Sequence, residues 1–384
     1  MTRLIVNPLR SDDAGGRRRA PVGHPGPLAF HRSLPGYRPS PLVEVPSLAR
    51  RLGVASLLVK DESSRFGLPA FKILGASWAV NIAVARRLGL APAASFSELR
   101  ERAAALGAVT LTTATDGNHG RAAAHMAALL GWPARIYVPA GTAQARMDAI
   151  VGEGARLVVV EGSYDDAVAR SAADADERSL LVSDTSWAGY EAVPRAVIDG
   201  YSTILLEIER QLVESGAPRP DLVFVQAGVG ALAAAVAAHF HAGTEAPAAV
   251  MSVEPEDAAC VLESLAAGHI VTVAGPHRSI MAGLNCGTPS LVAWHTLMTC
   301  IDAAMTVDDD LARRAMLLLA DSGIASGESG AAGLAGLIAL LETPGLGEAR
   351  SRLRVGRASR VLVFSTEGPT DPQAYQRLLG GAER

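Results

Sequence analysis

Short apolar runs alternate with Ala-rich helical stretches along almost all of the 384-residue chain, and that alternation restricts the fold more than any other feature. Strand-like runs fall at 56–60, 108–112, 134–138, 156–160, 180–182, 221–226, 248–254 and 360–365. Helical periods fall between them at 71–87, 118–130, 143–153, 164–175 and 230–241, and later at 291–299, 309–322 and 330–341. Val223-Phe224-Val225 is continuously apolar, as a strand buried on both faces is. Repeated strand-helix units imply right-handed crossovers in a mainly parallel sheet, so the class is α/β. The uneven strand spacing favours two open sheets over a (β/α)₈ barrel.

Composition excludes several function classes. Apolar residues make up 49% of the chain and the net charge is −4, which argues for a large core and against a nucleic-acid or anionic-membrane surface. No run of about 18 apolar residues occurs, and Met1 leads into polar, proline-containing sequence without a signal-peptide pattern. Cys260, Cys286 and Cys300 form neither a disulfide framework nor a metal-spaced cluster, so no metal is expected. These features suit a cytoplasmic metabolic protein. Arg17-Arg18-Arg19 reads as part of a solvated arm.

Two segments carry chemistry. Phe71-Lys72-Ile73-Leu74-Gly75-Ala76-Ser77 offers a lysine able to form a Schiff base, and Thr115-Asp116-Gly117-Asn118-His119-Gly120 offers a Gly/Asn turn opening a helix. Together they are how one large enzyme class holds pyridoxal phosphate (PLP), whereas a lone lysine at a helix start is usually a snorkelling surface residue. A third segment, Gly228-Val229-Gly230-Ala231-Leu232, follows the buried strand run and leads into an apolar helix. Glycines between a strand and a helix let backbone N–H groups approach an anion, though tight turns also need glycine for steric reasons. A nicotinamide dinucleotide is disfavoured, because this unit lies deep in the chain beside a Schiff-base candidate.

Lys60-Asp61-Glu62-Ser63-Ser64-Arg65-Phe66-Gly67, continuing through Ala70-Phe71-Lys72, resembles the lysine region of the diaminopropionate ammonia-lyases. Further matches follow in order: Thr115 to Arg121, Asp184-Thr185-Ser186-Trp187, Gly228-Val229-Gly230, Met281-Ala282-Gly283-Leu284, Ser326 to Gly330 and Ser365-Thr366-Glu367-Gly368. The resemblance runs from about Ser40 to Asp371. The wider family is the tryptophan-synthase-β-like, fold type II PLP enzymes, which includes threonine and serine dehydratases.

That resemblance implies two open, mainly parallel α/β domains with PLP between them. Residues 1–39 would be an N-terminal arm, 40–92 and 221–384 a large PLP-binding domain, and 93–220 a small, mobile, substrate-side domain. It implies that Lys72 forms the Schiff base and then acts as a base at the substrate α-carbon. Asn118 would bond the phenolic oxygen of the cofactor, or simply cap its helix. Gly228, Val229, Gly230, Ala231 and Leu232 would cradle the phosphate, and either Ser365 or Thr366 would face the pyridine nitrogen. Asp116 stands where dehydratases carry a small hydroxyl residue. An aspartate beside a docked carboxylate is repulsive unless it binds a cation or moves a proton, and a β-ammonium group supplies that cation. The resemblance also makes Asp116 a second base opposite the lysine, so both enantiomers could be deprotonated; the competing role is an Asx-turn. Asp184 would touch the amino substrate or form a turn.

The implied activity is α,β-elimination of 2,3-diaminopropionate, D and L, to pyruvate and two ammonia by a homodimer acting on a small amino acid. A serine/threonine dehydratase, a β-replacement enzyme or a non-catalytic PLP-binding protein are the alternatives. His119 is expected to support its turn rather than bind metal, and Glu328 resembles a position near the cofactor ring. Cys260 and Cys286 stand where the family can also carry cysteines, and reduced thiols are expected. Asn285 and Pro369 depart from the family pattern; aspartate usually stands at the position of Pro369.

Overall fold

The computed structural model of the chain describes residues 2–11, 26–115, 117–241 and 247–381. Asp116 and Arg17-Arg18-Arg19 lie outside the described residues. Among the described residues eleven strands form in chain order: β1 (Leu4–Val6), β2 (Leu42–Glu44), β3 (Ser56–Asp61), β4 (Thr110–Ala114), β5 (Ala134–Pro139) and β6 (Arg156–Val160), then β7 (Ser179–Leu181), β8 (Leu222–Gln226), β9 (Ala249–Pro255), β10 (Ala303–Val307) and β11 (Arg360–Ser365).

Two sheets result. The larger has the order β1-β10-β9-β8-β11-β3-β2 and the smaller β6-β5-β4-β7. The five inner strands of the larger sheet run parallel, while β1 and β2 pair antiparallel at its two edges. The smaller sheet is parallel throughout. Burial follows position: every residue of β8 and β10 is buried, whereas β1 and β2 are partly exposed. All four strands of the smaller sheet fall within residues 93–220, and all seven of the larger fall outside that span.

Several elements differ from the sequence reading. β1 lies in residues 1–39, expected to be an N-terminal arm, and the helix Pro27–Arg32 from the same segment buries Phe30 and His31 completely. His31 bridges Thr203 Oγ1 (2.7 Å) and the Leu74 carbonyl (3.0 Å), which ties this helix to two others. The longest helix among the described residues, Ala192–Ser215, falls where the sequence pattern indicates none. It packs on the helices Pro27–Arg32, Lys72–Leu88 and Ala231–His241, although the expected boundary at residue 220 grouped it with the small domain.

The crossing of Lys72–Leu88 with Ala192–Ser215 depends on two glycines. A Cβ at Gly200 would lie 2.5 Å from the Leu74 carbonyl oxygen, and one at Gly75 2.6 Å from Tyr201 Cε1. Neither site has room for a side chain, so the glycines set how closely the helix that begins with Lys72 seats. A buried charge cluster pins the same region. The Glu207 carboxylate accepts from Lys60 Nζ (3.0 Å), Arg65 Nη1 (2.9 Å), Arg65 Nη2 (2.8 Å) and Tyr37 Oη (2.8 Å). Glu62 takes two further Arg65 bonds. Burial opposes ionisation of Glu207, but the Arg65 and Lys60 contacts outweigh it and hold the carboxyl below its usual range. Among the described residues no helix is long and apolar enough to cross a membrane.

Candidate active site

The loops that follow β3, β4, β8 and β11 meet at the C-terminal ends of these parallel strands, where open α/β sheets bind their ligands. Lys72 and Asn118 each begin a helix there, and both line one cleft with Gly228, Val229, Gly230, Ala231, Leu232 and Thr366.

The turn before Asn118 is held by its own first residue. Thr115 Oγ1 accepts from the N–H groups of Gly117 (2.9 Å) and Gly120 (3.0 Å), satisfying donors at the start of the helix. Gly117 has φ +151°, a conformation that favours glycine, and a Cβ at Gly120 would lie 2.2 Å from Thr115 Cγ2. Gly117 takes the N-cap position and Asn118 is the first helical residue, so Asn118 is not the cap. Its amide is directed into the cleft and donates to Glu367 Oε2.

Lys72 Nζ donates to Asp184 Oδ2 at 2.8 Å, joining the helix Lys72–Leu88, which follows β3 of the larger sheet, to the loop after β7. Asp184 is only 5% exposed; it also accepts from Tyr164 Oη (2.8 Å), and His119 Nδ1 stands 4.0 Å away. Burial alone would raise this carboxyl, but the Lys72 ammonium, His119 and the two hydrogen bonds overcome burial and hold it well below the usual range. His119 is buried and pairs Nε2 with the Val182 carbonyl (2.8 Å). Its pKa is pushed down, chiefly by burial and with the Lys72 charge adding, against the pull of Asp184. A neutral imidazole donating Nε2–H to Val182 leaves Nδ1 as an acceptor facing this pair. His119 thus supports the end of the smaller sheet and also stands beside the lysine.

At Gly228 an added Cβ would lie 3.1 Å from Cys286 Sγ and 3.2 Å from the Gly283 carbonyl, and Gly230 has φ +88°. Glycine lets the backbone run close to these neighbours, directly before the helix Ala231–His241, whose first N–H groups lack intrahelical partners. Cys260 Sγ donates to the Gly228 carbonyl (3.5 Å), so both cysteines flank the loop; all three cysteines are buried and none is in a disulfide.

The floor of the cleft is set by Gln226 at the end of β8. Its Nε2 donates to Thr366 Oγ1 (2.8 Å) and to the carbonyls of Ser329 (2.9 Å) and Gly330 (3.0 Å). Strand alternation separates the two candidate hydroxyls. Ser365 Oγ is fully buried and bonds Ser326 Oγ (2.9 Å), whereas Thr366 lines the cleft. Glu367, 2% exposed, accepts the Asn118 amide and the Ser329 N–H (3.1 Å). Glu328 is half-buried; burial and the Glu367 carboxylate push its pKa up.

These residues fit PLP. A glycine cradle that a Cβ would fill sits at a helix N-terminus, and an amine stands across the same cleft. Lys72 would carry the aldehyde carbon, the 228–232 loop the phosphate, Asn118 the phenolic oxygen and Thr366 the ring nitrogen. Tyr164, Gln226 and Glu367 were not assigned roles from the sequence. Glu367 lay within a recognised motif, but Gln226 and Tyr164 carried no local signal.

Residues 33–364 match the family model described as pyridoxal-phosphate dependent enzyme. The chain is 39% identical to diaminopropionate ammonia-lyase of Escherichia coli over 91% of its length and 89% of the relative. It is 37% identical to diaminopropionate ammonia-lyase of Salmonella typhimurium over 93% of its length and 92% of the relative. Among solved structures it matches the Escherichia coli diaminopropionate ammonia lyase in complex with an aminoacrylate-PLP azomethine reaction intermediate, with a TM-score of 0.87 and 34% identity, covering 100% of this chain and 98% of that one.

Proposed function

The chain belongs to the pyridoxal-phosphate-dependent enzymes, and from that premise we propose that it is an ammonia-lyase converting 2,3-diaminopropionate to pyruvate and two ammonia. One observation carries the reading: the Lys72 amine bonds Asp184 at 2.8 Å while lining the same cleft as the glycine cradle and Asn118. When bound, PLP supplies an electron sink for the negative charge that develops at the substrate α-carbon.

The protein's own groups do the rest. Lys72 takes the α-proton from one enantiomer, and Asp116, placed by sequence resemblance, takes it from the other. Asp184, held ionised by Lys72, His119 and Tyr164, attracts the substrate's β-ammonium and positions the lysine amine. The β C–N bond breaks and ammonia leaves; the released aminoacrylate takes up water and yields pyruvate and the second ammonia. Thr366, which lines the cleft, would hold the pyridine nitrogen with a neutral hydroxyl, and a neutral partner there would temper the sink and suit elimination. We also assign residues 93–220, apart from the packed helix Ala192–Ser215, to a mobile substrate-side unit, and the active form to a cytoplasmic homodimer.

Two variants test this. Lys72→Ala should lose the visible absorption of a PLP Schiff base. Asp116→Asn should lose activity on the D-isomer more severely than on the L-isomer; equal losses would overturn the two-base arrangement.

A further inference from the structure

Gln226, the last residue of β8, is 3% exposed and lines the Lys72 cleft together with Thr366. Its Nε2 is surrounded by acceptors: the carbonyls of Ser329 (2.9 Å), Gly330 (3.0 Å) and Phe364 (3.2 Å), and Thr366 Oγ1 (2.8 Å). The three carbonyls can only accept, so the amide has one allowed orientation; turned over, Oε1 would face three carbonyl oxygens. Oε1 itself is buried and has no hydrogen-bond partner among the described residues, so Nε2 alone anchors the group. Packing agrees with that seat. A Cβ at Gly333, on the helix Ala332–Glu342, would lie 3.3 Å from Gln226 Oε1 and 3.2 Å from the Phe224 carbonyl, so the glycine leaves room for the amide.

The fixed amide determines what the neighbouring hydroxyl can do. An amide nitrogen has no lone pair with which to accept, so the Thr366 proton cannot go to Gln226. Oγ1 instead receives Nε2–H, and among the described residues nothing accepts the hydroxyl proton. Thr366 is 4% exposed, and buried hydroxyls make their hydrogen bonds, so its O–H is left to the cleft. Ser365 is no substitute, because its hydroxyl is buried against Ser326. A partner bringing its own proton would take the second lone pair of Oγ1 and leave the hydroxyl proton stranded in a buried site.

We propose that Gln226 is a positioning residue that fixes the Thr366 hydroxyl as an acceptor toward β8 and hence as a donor toward the cofactor, so that the pyridine nitrogen is received without a proton. The inference rests on Thr366 facing that nitrogen, but not on which β-substituent leaves. Gln226 touches no reacting atom; it acts through the direction of one O–H bond.

The test uses enzyme loaded with PLP carrying 15N in its ring, whose chemical shift reports protonation of that nitrogen independently of turnover. Gln226→Met keeps the length of the side chain, removes the donor and frees the hydroxyl to rotate. The proton affinity of the ring nitrogen should then rise about tenfold, the worth of one neutral hydrogen bond. In a Thr366→Val background the same substitution should leave the 15N signal unmoved, because Gln226 acts through the hydroxyl. Thr366→Ser, which keeps the hydroxyl, should behave as the unaltered enzyme. A merely structural amide would alter stability or PLP affinity without moving the 15N signal, and that result would overturn the proposal. So would an effect of Gln226→Met that persists in the Thr366→Val background. A signal that Thr366→Val alone leaves untouched would remove the premise that Thr366 faces the ring, and the proposal with it. If Gln226→Met does not retain PLP, neutron diffraction of the unaltered, PLP-loaded enzyme in heavy water decides. Deuterium on Thr366 Oγ1 directed at the ring nitrogen is the expected result; deuterium on the ring nitrogen, or on Oγ1 but directed at the Gln226 amide, overturns it. Failure of the diaminopropionate reading would appear instead in the products released, which the ring nitrogen does not report.

Discussion

Replacing Asp184 by asparagine keeps the shape of the side chain and removes its charge. The carboxylate is 5% exposed, takes 2.8 Å bonds from both Lys72 Nζ and Tyr164 Oη, and has His119 4.0 Å away. What is lost is a charge-assisted hydrogen bond in a water-poor site, worth about 1.5–3 kcal/mol. At about 1.4 kcal/mol per decade, that is a fall of roughly 10- to 150-fold in kcat/KM. Steady-state pyruvate release from diaminopropionate measures it, with the visible Schiff-base absorption as a check that the cofactor is retained. Tyr164→Phe should show a smaller loss and should add little to Asp184→Asn, because Tyr164 acts through the carboxylate. If Asp184→Asn kept kcat/KM within twofold while retaining cofactor, the Lys72–Asp184 pair would have no part in turnover and Asp184 would be only a turn former.

Glu207→Gln should cost about 3 kcal/mol, the lower end for removing one partner from a buried ion cluster, and lower Tm by about 4 °C at this chain length, read by calorimetry. The Glu207 and Asp184 carboxyls are both held below their unfolded values, so their stabilisation is complete above about pH 4 to 5 and is lost as pH falls further. Acid unfolding curves should therefore steepen below that pH, and less so in Glu207→Gln. Gly228→Ala, whose Cβ would press on Cys286 Sγ and the Gly283 carbonyl, should weaken PLP binding at least tenfold by equilibrium dialysis while leaving the far-UV circular dichroism unchanged.

Much of this molecule is written locally. β6 and β11 and the helix Asn118–Leu130 fall where their periodicity puts them, because each is long enough to show its pattern and is bounded by turn residues. β1, β2 and β10 have three to five residues, and two of them are edge strands whose existence depends on a partner far away in sequence. Ala192–Ser215 is interrupted by Pro194 and Gly200, two residues that mark breaks in a local reading. Here the proline sits in the first turn, and the glycine is required by the crossing at Gly75. The site divides in the same way. The lysine, the turn and the glycine loop announce themselves because backbone geometry needs those residue types. The Asn118–Glu367 and Tyr164–Asp184 contacts appear only once the chain is folded, the first between residues 249 positions apart. The choice between Ser365 and Thr366 turned on which residue at the end of β11 faces the cleft, a matter of strand register.

The most direct test is the product ratio and rate for the purified, PLP-loaded enzyme across D- and L-2,3-diaminopropionate, serine, threonine and 2,4-diaminobutyrate. The account predicts two ammonia per pyruvate from diaminopropionate, at a kcat/KM well above that for either hydroxy-amino acid. Faster turnover of serine or threonine, with one ammonia per keto acid, would contradict it, as would the absence of keto acid from every substrate in the set.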